Sequence, residues 1–200
     1  MKIQFAGFAL LLAMPGVMAA QMRMGASATS FGVSVRTATV NQTTPSATLP
    51  GDGSLAQAQA ANVSVGTFVS AQDVFAIATG DGSDPADAGS SATLDNVSIL
   101  NGLITVDGVV AITSSSGNGS NADGSSLANV TVNGSSLGDN VAPNTRVDLP
   151  GVGYVVLNEQ IETPGGITVN MIHVVLQTSV LGVTRTSGEI VVGSASSSVN

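Results

Sequence analysis

The chain has 200 residues, 43% of them hydrophobic and only 9% charged, with mean hydropathy +0.38 and a sequence pI near 4.1. It has no cysteine, which excludes a disulfide-stapled scaffold, thiolate chemistry and cysteine-ligated zinc. Five basic residues against thirteen acidic ones exclude the phosphate-neutralising surface of a nucleic-acid binder.

Residues 1–20 read as a secretory signal peptide. Lys2 precedes an apolar run from Ile3 to Met14, and Pro15-Gly16 leads to the small residues around Ala19 and Ala20, where cleavage is expected. A membrane anchor is the alternative, but it needs about 20 apolar residues, and Gln4 and Pro15-Gly16 interrupt the run. No cysteine follows for lipid attachment, and no later stretch is apolar enough to span a bilayer. The C-terminus carries neither a sorting signal nor a hydrophobic tail. Cleavage removes Lys2, leaving Arg23, Arg36, Arg146 and Arg185 against the acidic residues. The expected product is exported, acidic, and secreted or held non-covalently at the cell surface.

The remaining length suits one domain. It divides by composition into an Ala/Ser/Thr-rich β region over 21–91, a second β region over 92–193, and a disordered tail over 194–200. Apolar residues alternate with period two in Phe31–Thr37, Val63–Val69, Val152–Leu157 and Glu189–Val192, as half-buried strands require. Ile167–Leu176 is denser and suits a strand buried on both faces. Leu55–Ala61 has helix-favouring composition, yet it alternates and runs into a strand, and the strand reading is preferred.

Asn101-Gly102, Asp107-Gly108, Asn118-Gly119, Asp123-Gly124 and Asn133-Gly134 supply positive φ cheaply and predict tight turns, as do Pro150-Gly151 and Pro164-Gly165-Gly166. Many short strands so punctuated predict an all-β fold, an antiparallel β-sandwich-like single domain. Leu94–Gly102 echoes Leu127–Gly134, both ending Asn-Gly after a Leu-x-Asn-Val stretch. Stacked repeats of a short β-solenoid are therefore the alternative fold.

His173 is the only histidine, and alternation sets it opposite in direction to Ile172 and Val174. The expectation is a strand histidine bonded to neighbouring backbone, since no nucleophile elbow, phosphate loop or zinc-binding histidine pair accompanies it. Glu159 and Glu162 share a short stretch that reads as a solvated loop, which does not suit the facing carboxylates of a glycosidase. Asp81, Asp84 and Asp87 cluster in a Gly/Pro loop and form a weak calcium candidate, at a spacing unlike an EF-hand. Six Asn-x-Ser/Thr sequons, at Asn41, Asn62, Asn96, Asn118, Asn129 and Asn133, reflect composition. No catalytic residues and no cofactor are assigned.

The stretch Ala142–Gln160 carries Pro143-Asn144-Thr145, then Leu149-Pro150-Gly151-Val152-Gly153, then Leu157-Asn158-Glu159-Gln160. It resembles the choice-of-anchor P family of bacterial surface proteins, and Ile167–Leu176 is similar to the family's next strand. The likeness spans 92–193 approximately. It implies an exported envelope domain with a structural, adhesive or matrix-interaction role and no catalytic activity. The motif positions Asp148, Asn158, Glu159, Gln160 and His173 become structural or binding candidates. The chain departs from the pattern in showing no anchor, so an envelope or extracellular-matrix component is the expected partner. A secreted carbohydrate-active enzyme or sugar-binding module is the alternative. The lysine-poor surface also admits self-association through an exposed edge strand such as Phe31–Thr37.

Overall fold

A computed structural model describes residues 25–81, 86–139 and 141–200; the expected signal segment, 1–20, lies outside them. The described residues form strands and turns with no helix. In chain order the strands are β1 (Ala26–Thr37), β2 (Asn41–Thr48), β3 (Ala56–Val65), β4 (Val69–Asp81), β5 (Asp87–Ile99), β6 (Ile104–Ser116) and β7 (Gly119–Asn121). There follow β8 (Ser126–Ala128), β9 (Val130–Val132), β10 (Ser135–Gly138), β11 (Thr145–Leu149), β12 (Gly153–Thr163), β13 (Gly166–Val180) and β14 (Val183–Val199).

Two antiparallel sheets pack face to face. The first has the order β11-β12-β13-β14-β1-β2, and the second β10-β9-β6-β5-β4-β3, with β7 and β8 also paired to β6. Most neighbours are sequence neighbours joined by tight turns, as the Asn-Gly dipeptides predict: Asn101, Gly102, Asn133 and Gly134 all have positive φ. The exceptions are β6, which also takes β8 and β9 as partners, and β1, which pairs with β14 along nearly its whole length, from Ala26 opposite Val199 to Thr37 opposite Gly188. Phe31–Thr37 therefore lies in the middle of a sheet, between β14 and β2, and is not an edge.

Alternation breaks once in every long strand, along a line crossing each sheet. In the first sheet the paired neighbours Gly32/Val33, Val192/Gly193, Met171/Ile172 and Leu157/Asn158 are all buried. In the second, Ala61/Asn62, Gln72/Asp73 and Asp95/Asn96 are exposed, and Asp107/Gly108 points the same way. Asp73, Asn96, Asn129, Asn158 and Gly193 take positive φ at this line. In most pairs no residue is inserted: Leu157 opposes Ile172 and Glu159 opposes Asn170 in one register. Each break turns the following side chains to the other face, which is what a one-residue slip would do.

The first sheet thus creases inward and the second outward, and the creases nest. Any Cβ on Gly32 would collide with Val74, and one on Gly193 would come within 2.5 Å of Val109 Cγ1. This geometry accounts for the density of Ile167–Leu176. Met171 and Ile172 both enter the core because the phase changes between them, not because β13 is buried on both faces. It also accounts for Asp107-Gly108, which is a crease inside β6 and not a turn. Val63–Val69 is likewise no single strand, because Gly66, at φ 53°, opens the turn between β3 and β4.

The core has two halves. Val, Leu, Ile and Met side chains such as Leu94, Ile99, Leu157, Met171 and Ile190 fill the larger one. The other is lined by Ala28, Ala47, Ala76, Ala78, Ala88 and Val199. There Ser30 Oγ donates to the Ile77 carbonyl, Ser90 Oγ to that of Ser196 and Ser115 Oγ to that of Ser197, all between sheets at 2.9–3.0 Å. A serine reaches main chain across a sandwich only where the sheets are well inside their usual ~10 Å separation. Ser194–Val199, expected as a disordered tail, belongs to this thin half as the end of β14, with Ala195 and Ser197 buried. Its small residues are what the close approach demands.

The echoed segments are β5 and the pair β8–β9. They flank β6 on its two sides within one sheet, so they are not coils of a solenoid. Each carries a crease asparagine, Asn96 or Asn129, and ends in an Asn-Gly turn.

Candidate functional site

The crease assembles the polar cluster on the outer face of the first sheet. Asn158, at φ 50°, turns Glu159 outward, onto the face that carries His173. The same break in β13 puts Asn170 and His173 together, and Gly193 does so for Ser194 and Val191 on β14. Ser194 Oγ donates to Asn170 Oδ1 at 2.8 Å, and Asn170 Nδ2 to Glu159 Oε2 at 2.7 Å. The same carboxylate oxygen lies 2.9 Å from His173 Nδ1, so that nitrogen carries the proton of the shared bond. On the ring's far side, His173 Nε2 stands 3.7 Å from Glu189 Oε2, beyond hydrogen-bond reach, and Arg36 pairs with Glu189 at 3.3 Å.

Glu159 and His173 are each about four-fifths buried, with side-chain exposures of 18% and 20%. The hydrogen bond from His173 holds the Glu159 carboxyl below its ordinary range against the opposing effect of burial, and Asn170 assists. The hydrogen bond to Glu159 raises His173, burial opposes it, and the charges of Glu159 and Glu189 add to the rise. Glu159 is therefore a buried partner within β12 and not a solvated loop residue. His173 bonds a carboxylate and not neighbouring backbone.

Asn158 and Gln160 form a second, adjoining knot. Asn158 Nδ2 donates to the Val141 carbonyl at 3.2 Å and its Oδ1 accepts from Gln160 Nε2 at 3.1 Å. Asn144 returns two bonds, its N–H to the Asn158 carbonyl and its Oδ1 accepting from the Gln160 N–H, both at 2.9 Å. The Pro143-Asn144-Thr145 and Leu157–Gln160 stretches are thus stitched to each other, tying the entry to β11 onto β12.

Asp148 stands apart from both. It sits on edge strand β11, pairs with Arg146 at 3.2 Å and is 79% exposed. Arg146 lies over the Tyr154 ring at 3.7 Å. A groove of about 600 Å³ runs from Arg146 and Asp148 past Pro150 to Gln177, Thr178 and Thr184. Its far wall is the β13–β14 arm, which continues beyond the last β12 and β1 partners, Leu176 and Gly188. The arm ends in Val180, Leu181 and Val183, with Leu181 99% exposed.

Asp81 and Asp87 face each other where β4 and β5 end, and Asp84 lies outside the described residues. Among the described residues no three His, Asp or Glu side chains converge to hold a metal. Sequence reading missed Asn144, Asn170, Glu189 and Ser194. A signal was present in Asn158 and Gly193, which are turn-forming residues inside strand patterns. Comparison with protein-family models, with curated proteins and with solved structures finds no match to this chain.

Proposed function

We propose that this is an exported, non-enzymatic β domain, secreted or held at a bacterial cell surface, with a structural, adhesive or matrix-interaction role. The likeness of Ala142–Gln160 to the choice-of-anchor P family points to that role, and the signal-like segment to export. One observation supports the non-enzymatic part. The chain's one histidine and its best-buried glutamate are bonded to each other across strands, and Ser194 is bonded to Asn170 and not to the imidazole. These groups act as staples of the sheet. The apolar tip of the β13–β14 arm supplies a contact for an envelope or matrix partner.

A sugar-binding module is the second reading, favoured by the groove that brings the polar side chains of Asp148, Gln177 and Thr178 beside Pro150 and Val152. Fractionation of the producing cells, with N-terminal sequencing of the product, tests export: the mature chain starts at Ala20 or Gln21. Retention of residues 1–20 in the cytoplasmic fraction overturns it. A polysaccharide hydrolysis screen tests the rest, because turnover abolished in Glu159→Gln makes the protein an enzyme.

A further inference from the structure

The two sheets expose four edges, and three of them are blunted. On the first sheet, β2 contains Pro45, and β11 is a five-residue strand bearing Arg146 and Asp148. On the second, the far margin is made of β7, β8 and β10, which are three, three and four residues long. Short length, proline and charge are the usual defences of an edge against pairing. The fourth edge, β3, has none of these. It runs ten residues as Ala-Gln-Ala-Gln-Ala-Ala-Asn-Val-Ser-Val. It lies inside the stretch 53–72, which carries no charged residue in an otherwise acidic chain. Leu55 and Phe75, two of the exposed large hydrophobic side chains, flank it at 59% and 43% exposure.

We infer that β3 pairs with β3 of a second copy of this chain, antiparallel across a two-fold axis, joining the two second sheets into one. The inference stands on this edge alone and does not depend on where the protein acts. An unpaired strand edge presents main-chain donors and acceptors at strand spacing, so its natural ligand is another extended strand. A second copy brings no opposing like charge to this edge, because 53–72 is uncharged.

The crease fixes the register. It crosses β3 at Ala61/Asn62 and β4 at Gln72/Asp73, aligned by the pairing of Asn62 with Gln72. The same alignment carried across the seam puts the two-fold axis between Ala61 and Asn62. Ala60 then meets Val63 of the second copy and Ala58 meets Val65 on the core-facing side, small residue against branched one. Gln59 meets Ser64 on the outer side, where both can share hydrogen bonds. Every core-facing position meets a core-facing position, which a seam shifted by one residue would not achieve.

The absence of native cysteine makes the register directly testable. Gln59→Cys and Ser64→Cys chains are prepared separately, mixed and oxidised. The expected product is a disulfide between the two variants, with little within either variant alone, because a bridge needs Cα atoms within about 7 Å. Within one chain, residues 59 and 64 lie about 16 Å apart along an extended strand and cannot bridge. Light scattering of the unmodified chain is expected to show a dimer. Ala61→Lys, on the exposed side of the edge, is expected to give a folded monomer whose melting temperature, unlike that of the wild type, does not rise with protein concentration. A wild-type monomer at the highest soluble concentration overturns the inference. So does a dimer that survives Ala61→Lys and forms no 59–64 cross-link, which would place contact elsewhere, as at the Leu181 tip.

Discussion

Asn158 and Gly193 occupy the same line across the first sheet, one on each side of Met171, and both hold positive φ, 50° and 66°. Met171 between them is not among the positive-φ residues, so in this sheet the left-handed conformation falls on alternate strands. The two residues reach the same conformation by different means. Gly193 has no Cβ to strain, and its position has no room for one beside Val109, Leu94 and Met171. Asn158 tolerates the left-handed region and spends its amide on Val141 and Gln160.

Substitution at the two sites should therefore behave differently. Gly193→Ala combines backbone strain with overpacking and is expected to cost about 2–4 kcal/mol. Asn158→Gly keeps the backbone free and loses only the amide bonds, whereas Asn158→Ala loses both, so Ala is the more damaging by about 1 kcal/mol. Urea unfolding of the three variants checks the order. Equal stability of Asn158→Gly and Asn158→Ala would mean that the positive φ carries no cost there.

The His173–Glu159 bond makes stability depend on pH in a definite window. His173 is raised on folding, so its contribution is complete below its ordinary value of 6.5 and is lost as pH climbs through the higher folded value. Glu159 is lowered, so its contribution is complete above 4.5 and is lost as pH falls through the lower folded value. Both contributions are whole between about pH 4.5 and 6.5. The difference in melting temperature between wild type and His173→Gln should peak in that interval and shrink on either side. A difference that keeps growing above pH 8 would contradict the assignment.

In the thin half of the core, Ser115 Oγ reaches both the carbonyl and the hydroxyl of Ser197. Ser115→Ala leaves the Ser197 hydroxyl short of a buried partner and should cost about 1–2 kcal/mol. Ser115→Leu must push the sheets apart and should cost more, about 3 kcal/mol or beyond. Thermal melts that rank Leu above Ala in stability would show that the sheets have slack there.

Calcium at millimolar concentration should leave the melting temperature unchanged, as should chelation. A site needs six to eight oxygens, and the strand ends at Asp81 and Asp87 bring two carboxylates to the described part of this loop. A rise of many degrees that disappears in Asp84→Ala would establish a site.

Much of the fold was legible in the residues. Asn101-Gly102 and Asn133-Gly134 announce their hairpins because both central residues need positive φ, and only such dipeptides supply it cheaply. Asp107-Gly108 misleads for the same reason: its chemistry permits a turn, but neighbours on both sides of β6 hold it in the ladder. Phe31–Thr37 gives no sign of its central place, since its partner on one side is the last strand of the chain. The Ser-rich end reads as solvated until the facing sheet is known. The Glu159–His173 contact depends on two phase breaks, at Asn158 and at Met171/Ile172, and strict alternation would have set Glu159 toward the core.

The pairing of β1 with β14 bears on how the protein comes into being. Strand β1 leaves the ribosome first among the strands, and the neighbour covering its longer side is made last. Until then β3 to β6 can close their hairpins, because those contacts are local, while the sheet that faces them lacks its middle. A chain with so remote a closing step matures slowly, because the loop-closure entropy of almost its whole length is spent on that one pairing.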